Sequence, residues 1–315
     1  MKSFNHIISV VLALVLVICA CERKDLVEEE IYASMTILSE EPVPEDALFR
    51  AVVYDRADGH KIGYSFTGPE GGQVQVGAGL RAVLVHSFGC ETAVVEGEED
   101  WPSAYVTATR GDAIQQALWT KALSMHPVYG DSAVVGQRHA AWAKMNVSWE
   151  PDAMFVGTTD SLVVPRREIG DEYLLDVSLR PVRKMLDIIL SDVEGMEWAA
   201  SASVLLAGCA AGVDLSTGSA LGSPTVVSAS LYRYGGSLRG QLVSFGDCPG
   251  TEPWLVVVLT DIAGESFSYE YPLSSAVGSV NAPSRIVIEK PDVEEGGGLQ
   301  PTLEDWHEIE IPVNL

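Results

Sequence analysis

Short runs of alternating apolar and polar residues restrict the fold more than any other feature of this sequence. They recur from Ile31 onward, and Ile31–Leu38 and Tyr173–Leu179 are clear examples. Successive side chains of a β-strand point to opposite faces, so this period of two predicts half-buried strands. Three pairs of runs flank residues typical of tight hairpins: Asp58-Gly59, Gly235-Gly236 and Ala263-Gly264. The chain is therefore predicted to be all-β, with two tandem β-sandwich domains.

One short helix is predicted in the N-terminal half. Gly111-Asp112 followed by Gln115 resembles a capping box, and the apolar residues after it repeat at helical spacing, which predicts a helix near 112–124. The charged, glycine-containing stretch from Pro165 to Asp171 then predicts a boundary between two domains. We expect an N-terminal domain over residues 31–165 and a C-terminal domain over residues 166–315.

The first residues predict export and lipid attachment. Lys2 precedes the apolar run Ile7–Ile18, which is shorter than the roughly 20 residues of a membrane-spanning helix and fits a signal peptide. Ile18-Cys19-Ala20-Cys21 resembles the bacterial lipobox. This resemblance implies a cleaved signal peptide over residues 1–20, acylation of Cys21 and a charged tether over residues 21–30. Acyl chains would hold the protein on the outer membrane, with the cell surface as the expected location.

The charge balance limits the partners that the protein can have. The sequence carries 44 acidic and 20 basic residues, for a formal net charge of −24. Nucleic acids and anionic lipid head groups are bound through basic patches, so this composition argues against both as partners.

The cysteines of the mature chain leave two alternatives open. Cys19 would leave with the signal peptide and Cys21 would take lipid, so Cys90, Cys209 and Cys248 remain. An exported protein can form a disulfide, for which Cys209 and Cys248 are the better pair because both lie in the second half. Three buried free thiols is the other alternative.

No catalytic or metal-binding pattern is present in the sequence. It has no GxSxG, HExxH, GxxxxGK[ST] or strand-associated GxGxxG motif, and its histidines are scattered singly: His6, His60, His86, His126, His139 and His307. We therefore expect a protein that is not an enzyme and needs no cofactor.

The order of parts is similar to that of the fimbrillin-associated anchor lipoproteins and of fimbrillin-like lipoproteins in general. The segments that carry the resemblance are Ile18–Cys21, Gly79–Val85, Trp149–Gly157, Leu179–Ile188 and Gly208–Gly218. The resemblance implies two transthyretin-like β-sandwiches without enzymatic activity. It also implies a role as anchor or accessory subunit of a surface fimbria, whose subunits join by strand addition.

Both ends of the mature chain are candidates for strand exchange. Ile31–Leu38 is a candidate for a strand retained by its own domain, and His307–Leu315 for one that pairs in cis or in trans. Arg50 and Arg56 lie where shaft subunits of that family are processed, but neither is marked as a cleavage site. The alternative function is a surface glycan-binding lipoprotein. A glycan-binding surface would need exposed aromatic residues in a row, on which sugars stack. The tryptophans are instead spread along the sequence.

Overall fold

The computed structural model describes residues 31–125, 132–165, 173–191, 199–262, 264–273 and 284–288. The predicted signal peptide, Cys21, the tether and the predicted strand His307–Leu315 lie outside the described residues. The first ten strands and two helices are, in chain order, β1 (Tyr32–Ser39), β2 (Leu48–Asp55), β3 (Lys61–Thr67), β4 (Gly71–Gln75), β5 (Gly79–Phe88), β6 (Ala93–Glu96), β7 (Tyr105–Ala108), α1 (Ala113–Ser124), α2 (Ser132–Trp142), β8 (Asn146–Ser148), β9 (Phe155–Val164) and β10 (Tyr173–Pro181). The remaining strands are β11 (Lys184–Ser191), β12 (Ala199–Ala210), β13 (Gly212–Asp214), β14 (Pro224–Tyr234), β15 (Ser237–Ser244), β16 (Trp254–Asp261), β17 (Ser266–Pro272) and β18 (Ser284–Ile288).

The first sandwich is built from a seven-stranded sheet in the order β3-β2-β5-β9-β10-β1-β4. Buried side chains of β1, β4 and β10 pack against those of β2, β5 and β9 in one apolar core. Ala33, Met35 and Ile37 of β1 are all buried in it, as their alternation predicted. The all-β prediction is therefore confirmed in this half.

The second sandwich follows the order β17-β16-β12-β14-β15-β11-β18. Its two layers share β14, which pairs with β12 as far as Leu231 and then with β15 from Tyr232 to Tyr234. Leucine, isoleucine and valine side chains from both layers fill the core between them. The three predicted hairpins are confirmed as β2–β3, β14–β15 and β16–β17, and Gly59 has the positive φ of +81° that its turn requires.

The sheet topology corrects the predicted boundary between residues 165 and 166. Strand β10 follows that boundary, yet it pairs with β1 and β9 of the first sheet. Leu175, Val177 and Leu179 are buried in the first core, which explains why the strand belongs there. The halves also interlock, because β8 pairs with β14 of the second sandwich and β13 pairs with β7 in a three-stranded sheet.

The predicted helix is confirmed as α1, with Asp112 as its N-cap and Gln115 completing the capping box. A second helix, α2, lies in the same half and was not predicted. Both helices cover the outer face of the second sandwich, where Trp119 and Trp142 pack on residues of β12, β14 and β16. Neither is long and apolar enough to cross a membrane, and no other helix in the described part of the chain is.

Candidate functional site

An exposed apolar row lies on β3, the end strand of the first sheet. Ile62, Tyr64 and Phe66 alternate with smaller residues along β3 and are 48%, 53% and 46% exposed. Leu48 of β2 and Phe88 of β5 lie on the same face and are also exposed. We call these five residues the aromatic strip.

Contacts between rings make the strip continuous. The ring centroids of Tyr64 and Phe66 are 5.5 Å apart, and those of Phe66 and Phe88 are 4.7 Å apart. Both pairs meet edge to face, an arrangement that aromatic rings favour. The Arg50 guanidinium lies 4.3 Å from the centre of the Tyr64 ring and covers one of its faces. The three rings of the strip therefore form one packed surface.

A surface pocket of about 350 Å³ lies at one end of the strip and shares Leu48 and Phe88 with it. Its lining includes three carboxylates, which belong to Asp46, Glu91 and Asp152. The backbone N–H of Thr92 donates to Asp152 Oδ2 over 2.6 Å, which fixes that side chain. The thiol of Cys90 also lines the pocket, and burial together with the Asp152 charge raises its pKa.

Beside the strip, Arg50 belongs to an ion cluster with Glu98 and His86. Arg50 Nη2 lies 3.1 Å from Glu98 Oε2, and His86 Nε2 lies 2.5 Å from Glu98 Oε1. The other ring nitrogen of His86 lies 2.8 Å from the carbonyl oxygen of Ser87. Burial raises the pKa of Glu98, but the hydrogen bond and charge of His86, with the charges of Arg50 and Lys61, outweigh it and lower the pKa below its ordinary value.

A second cluster of the same composition joins α2 to β17. Arg138 forms an ion pair with Glu270, and His139 Nε2 lies 2.5 Å from Glu270 Oε1. His139 Nδ1 lies 3.0 Å from the carbonyl oxygen of Leu123 on α1. The Arg138 guanidinium stacks 4.0 Å from the ring centre of Trp254, so this cluster ties both helices to the sheet.

The predicted disulfide between Cys209 and Cys248 is not formed in the structure, where both residues and Cys90 are free thiols. Cys209 is buried in the core of the second sandwich. Cys248 instead belongs to the cluster of side chains between the two halves, which also contains Tyr54 and Trp101. The two residues are nevertheless neighbours, because the backbone N–H of Cys248 donates to the carbonyl oxygen of Gly208 over 3.0 Å and Cys209 forms an isolated β-bridge with Asp247. The pairing of these two thiols therefore stays a prediction.

Among the described residues, no three His, Cys, Asp or Glu side chains lie close enough together to hold a metal ion. His60 pairs with Asp100 at the surface, and His86 and His139 belong to the ion clusters. His6, His126 and His307 lie outside the described residues.

Strand β1, which contains most of the segment predicted as a retained strand, is paired on both sides. It runs parallel to β10 and antiparallel to β4, and both pairings extend over most of the length of β1. Arg50 is held by Glu98, and the backbone N–H of Arg56, just after β2, donates to the carbonyl oxygen of Leu80 on β5. The first sandwich therefore holds its N-terminal strand within its own sheet.

Comparison with known proteins gives matches to solved structures. Neither the protein-family models nor the curated proteins match this sequence. An adhesin candidate from Bacteroides ovatus superposes with a TM-score of 0.61 at 14% identity, over 87% of this chain and 98% of its own. A candidate polysaccharide-binding protein from Bacteroides thetaiotaomicron gives 0.53 at 10% identity, over 89% and 99%. The fimbrial anchor protein Mfa2 from Porphyromonas gingivalis gives 0.52 at 13% identity, over 82% and 89%. At these identities the likeness is one of fold, and the chain has the fimbrillin-like fold that the sequence resemblance implied.

Proposed function

We propose that this chain is a lipid-anchored, non-catalytic protein of the cell envelope that serves as anchor or accessory subunit of a surface fimbria. The observation that carries the proposal is the fold, which is similar over most of its length to a fimbrial anchor protein and to adhesin candidates. The sheet-dominated architecture is compatible with a role in assembly.

The lipid anchor rests on Cys21 in its lipobox-like context. The variant Cys21→Ser has no thiol to acylate, so we expect it to stay unprocessed or to leave the membrane fraction. Cys90→Ser is the matched control and should remain membrane-bound, because Cys90 lies in the folded domain. Firm membrane retention of a Cys21→Ser protein that has lost its signal peptide would contradict anchoring through this residue.

A fimbrial role also agrees with the position of β1. A sandwich that keeps its own N-terminal strand has no vacant place between β10 and β4, which suits a subunit that ends a chain of subunits on one side. We further propose that His307–Leu315 supplies a strand that pairs in cis or in trans. Deletion of residues 307–315 should then unfold the second sandwich or abolish assembly, and a deletion with neither effect would refute this role.

Purification of the tagged full chain from its native membrane tests the fimbrial role. Mass spectrometry should identify other β-sandwich lipoproteins among the proteins that co-purify, in complexes that resist SDS. The Cys21→Ser protein is a useful control, because it separates contacts between subunits from shared residence in one membrane. A monomer without such partners would contradict the fimbrial role.

Glycan binding is the second candidate function, and the exposed row of aromatic residues favours it. One of the similar structures is a candidate polysaccharide-binding protein. The tryptophans do not form the row: Trp101, Trp119 and Trp142 are buried, and Trp149 is 37% exposed. A polysaccharide array probed with the wild type and with Tyr64→Thr/Phe66→Thr tests this function, since a saccharide bound by the strip would be lost in the variant.

A further inference from the structure

We propose that the aromatic strip and the pocket at its end bind one extended segment of a partner protein, with apolar side chains along β3 and a Lys or Arg side chain in the pocket. This inference does not depend on the lipid anchor or on the fimbrial role. It rests on the strip, the pocket and the charges around them.

The strip has the composition of a protein-binding surface. Its five members are between 42% and 53% exposed, although each is a large apolar residue. Single exposed apolar residues are ordinary on a protein surface, but a contiguous group of aromatic residues marks an interaction site. Aromatic side chains are enriched at the centres of protein interfaces and contribute much of the binding energy there.

The geometry of β3 favours an extended partner. Within the described residues β3 pairs with β2 alone among the strands, and it ends the sheet. Ile62, Tyr64 and Phe66 recur at every second residue, which is the spacing of side chains on one face of a strand. A segment in extended conformation presents its own side chains at that same spacing, so it can follow the strip residue by residue.

The charges around the pocket favour a basic side chain. Asp46, Glu91 and Asp152 line it, and the acidic residues Glu40, Glu41 and Glu45 precede it in an exposed loop. The nearest cations of the strip are already paired, since Arg50 contacts Glu98 and Lys61 contacts Glu99. The pocket therefore carries negative charge that a partner's Lys or Arg would complement.

The same geometry makes a saccharide the less favourable occupant. Sugars stack on open aromatic faces, whereas the rings of this strip meet edge to face. Arg50 already covers one face of Tyr64. Leu48, Ile62, Phe66 and Phe88 offer no hydroxyl or amide to a sugar, but they suit the apolar side chains of a peptide.

The test uses an array of synthetic heptapeptides in which apolar residues alternate with threonine and the last residue is Arg, Glu or Ala. Binding to the full-length protein in detergent is measured by fluorescence anisotropy. Three variants are compared with the wild type: Tyr64→Thr/Phe66→Thr in the strip, Asp46→Asn/Glu91→Gln in the pocket, and Tyr232→Thr/Tyr234→Thr as matched control. The control residues are exposed tyrosines on β14, far from the strip in the sheet topology. Threonine keeps the β-propensity at all four tyrosine and phenylalanine positions.

The proposal predicts saturable binding of Arg-ended peptides that weakens at least about tenfold in the strip variant and is unchanged in the control variant. The pocket variant should bind peptides ending in Arg and in Glu equally well. Absence of saturable binding, equal loss in the strip and control variants, or a polysaccharide that competes for the strip while no peptide does, would each overturn it. The probes contain no fimbrial component, so failure here is distinguishable from failure of the fimbrial role.

Discussion

Two aromatic groups in this protein are built alike and differ in exposure. In the first sandwich, Arg50 stacks on Tyr64 of the strip and is held by Glu98, which also contacts His86. In the second, Arg138 stacks on Trp254 and Trp142 and is held by Glu270, which also contacts His139. The tryptophan group, which consists of Trp119, Trp142 and Trp254, lies between the helices and the sheet, and two of its members are only 4% exposed.

The difference separates a structural role from a binding role. The tryptophan group is covered by α1 and α2, so its apolar surface already contributes to folding. The strip lies where no element of the described chain covers the outer face of the first sandwich, so its apolar surface is still available to a partner. The same combination of arginine and aromatic rings therefore stabilises the fold in one half and offers a surface in the other.

The largest expected effect is that of Trp142→Ala on stability. Truncation of a buried aromatic side chain typically lowers the free energy of unfolding by about 3–5 kcal/mol. Trp142 contacts Trp119, Trp254 and His139, so we expect a loss within that range in urea denaturation. Phe66→Ala in the strip should cost far less. Equal losses of unfolding free energy in the two variants would contradict the assignment of a structural role to the tryptophan group alone.

Glu270→Gln should have the next largest effect. The Glu270 side chain is 2% exposed and faces both Arg138 and His139, so its neutralisation leaves buried positive charge without a partner. Removing one partner of a buried ion pair costs about 3–5 kcal/mol, and the amide that remains should keep the loss near the lower end of that range. Glu98→Gln is the matched variant. It should be milder, because the side chain of Glu98 is 12% exposed.

The loss of stability at acidic pH should depend on Glu98. Its pKa in the folded protein lies below the ordinary value of 4.5. A lowered carboxyl pKa contributes stability that is fully present above about pH 4.5 and is lost as the pH falls through the lower, folded-state value. Urea titrations from pH 6 down to pH 3 should therefore show a steeper decline for the wild type than for Glu98→Gln. Parallel curves would contradict the charge assignment in the first ion cluster.

The smallest expected effect on stability is that of Tyr64→Thr/Phe66→Thr. Substitutions of exposed side chains usually change the free energy of unfolding by no more than about 0.5 kcal/mol each. Threonine keeps a β-branched side chain in β3, so the strand should persist. A loss as large as that of Trp142→Ala would mean that the strip is part of the folding core.

The elements that could be predicted from the sequence are those whose signal lies within a few neighbouring residues. Alternation and turn residues were enough for β1, for the hairpin at Asp58-Gly59 and for the capped helix α1. Helix α2 was missed because only Val135 and Trp142 of its residues are buried, so it has almost no apolar period. The sheet to which β10 belongs could not be predicted from its own residues either, because that is decided by pairing with β1, which is far away in the sequence.

The aromatic strip was also not predicted, although the alternation of large apolar and small residues that forms it is visible in the sequence. The segment Ile62–Phe66 is the run after the predicted turn at Asp58-Gly59, and it was predicted as a strand without assigning its apolar residues to either face. Gly63 and Ser65 point inward there, and the larger residues point outward, which inverts the usual pattern. A strand whose small residues alternate with aromatic ones is compatible with either orientation, and only its pairing with β2 decides between them.

Comparative co-purification from the native membrane tests the central claim most directly. The tagged wild type, the strip variant Tyr64→Thr/Phe66→Thr and the control variant Tyr232→Thr/Tyr234→Thr are purified under identical conditions, and the co-purifying chains are quantified by mass spectrometry. The account predicts that wild type and control recover the same β-sandwich subunits, and that the strip variant is equally abundant in the membrane but loses at least one of them. Identical partners for all three proteins would contradict the claim that the exposed aromatic group is the binding surface.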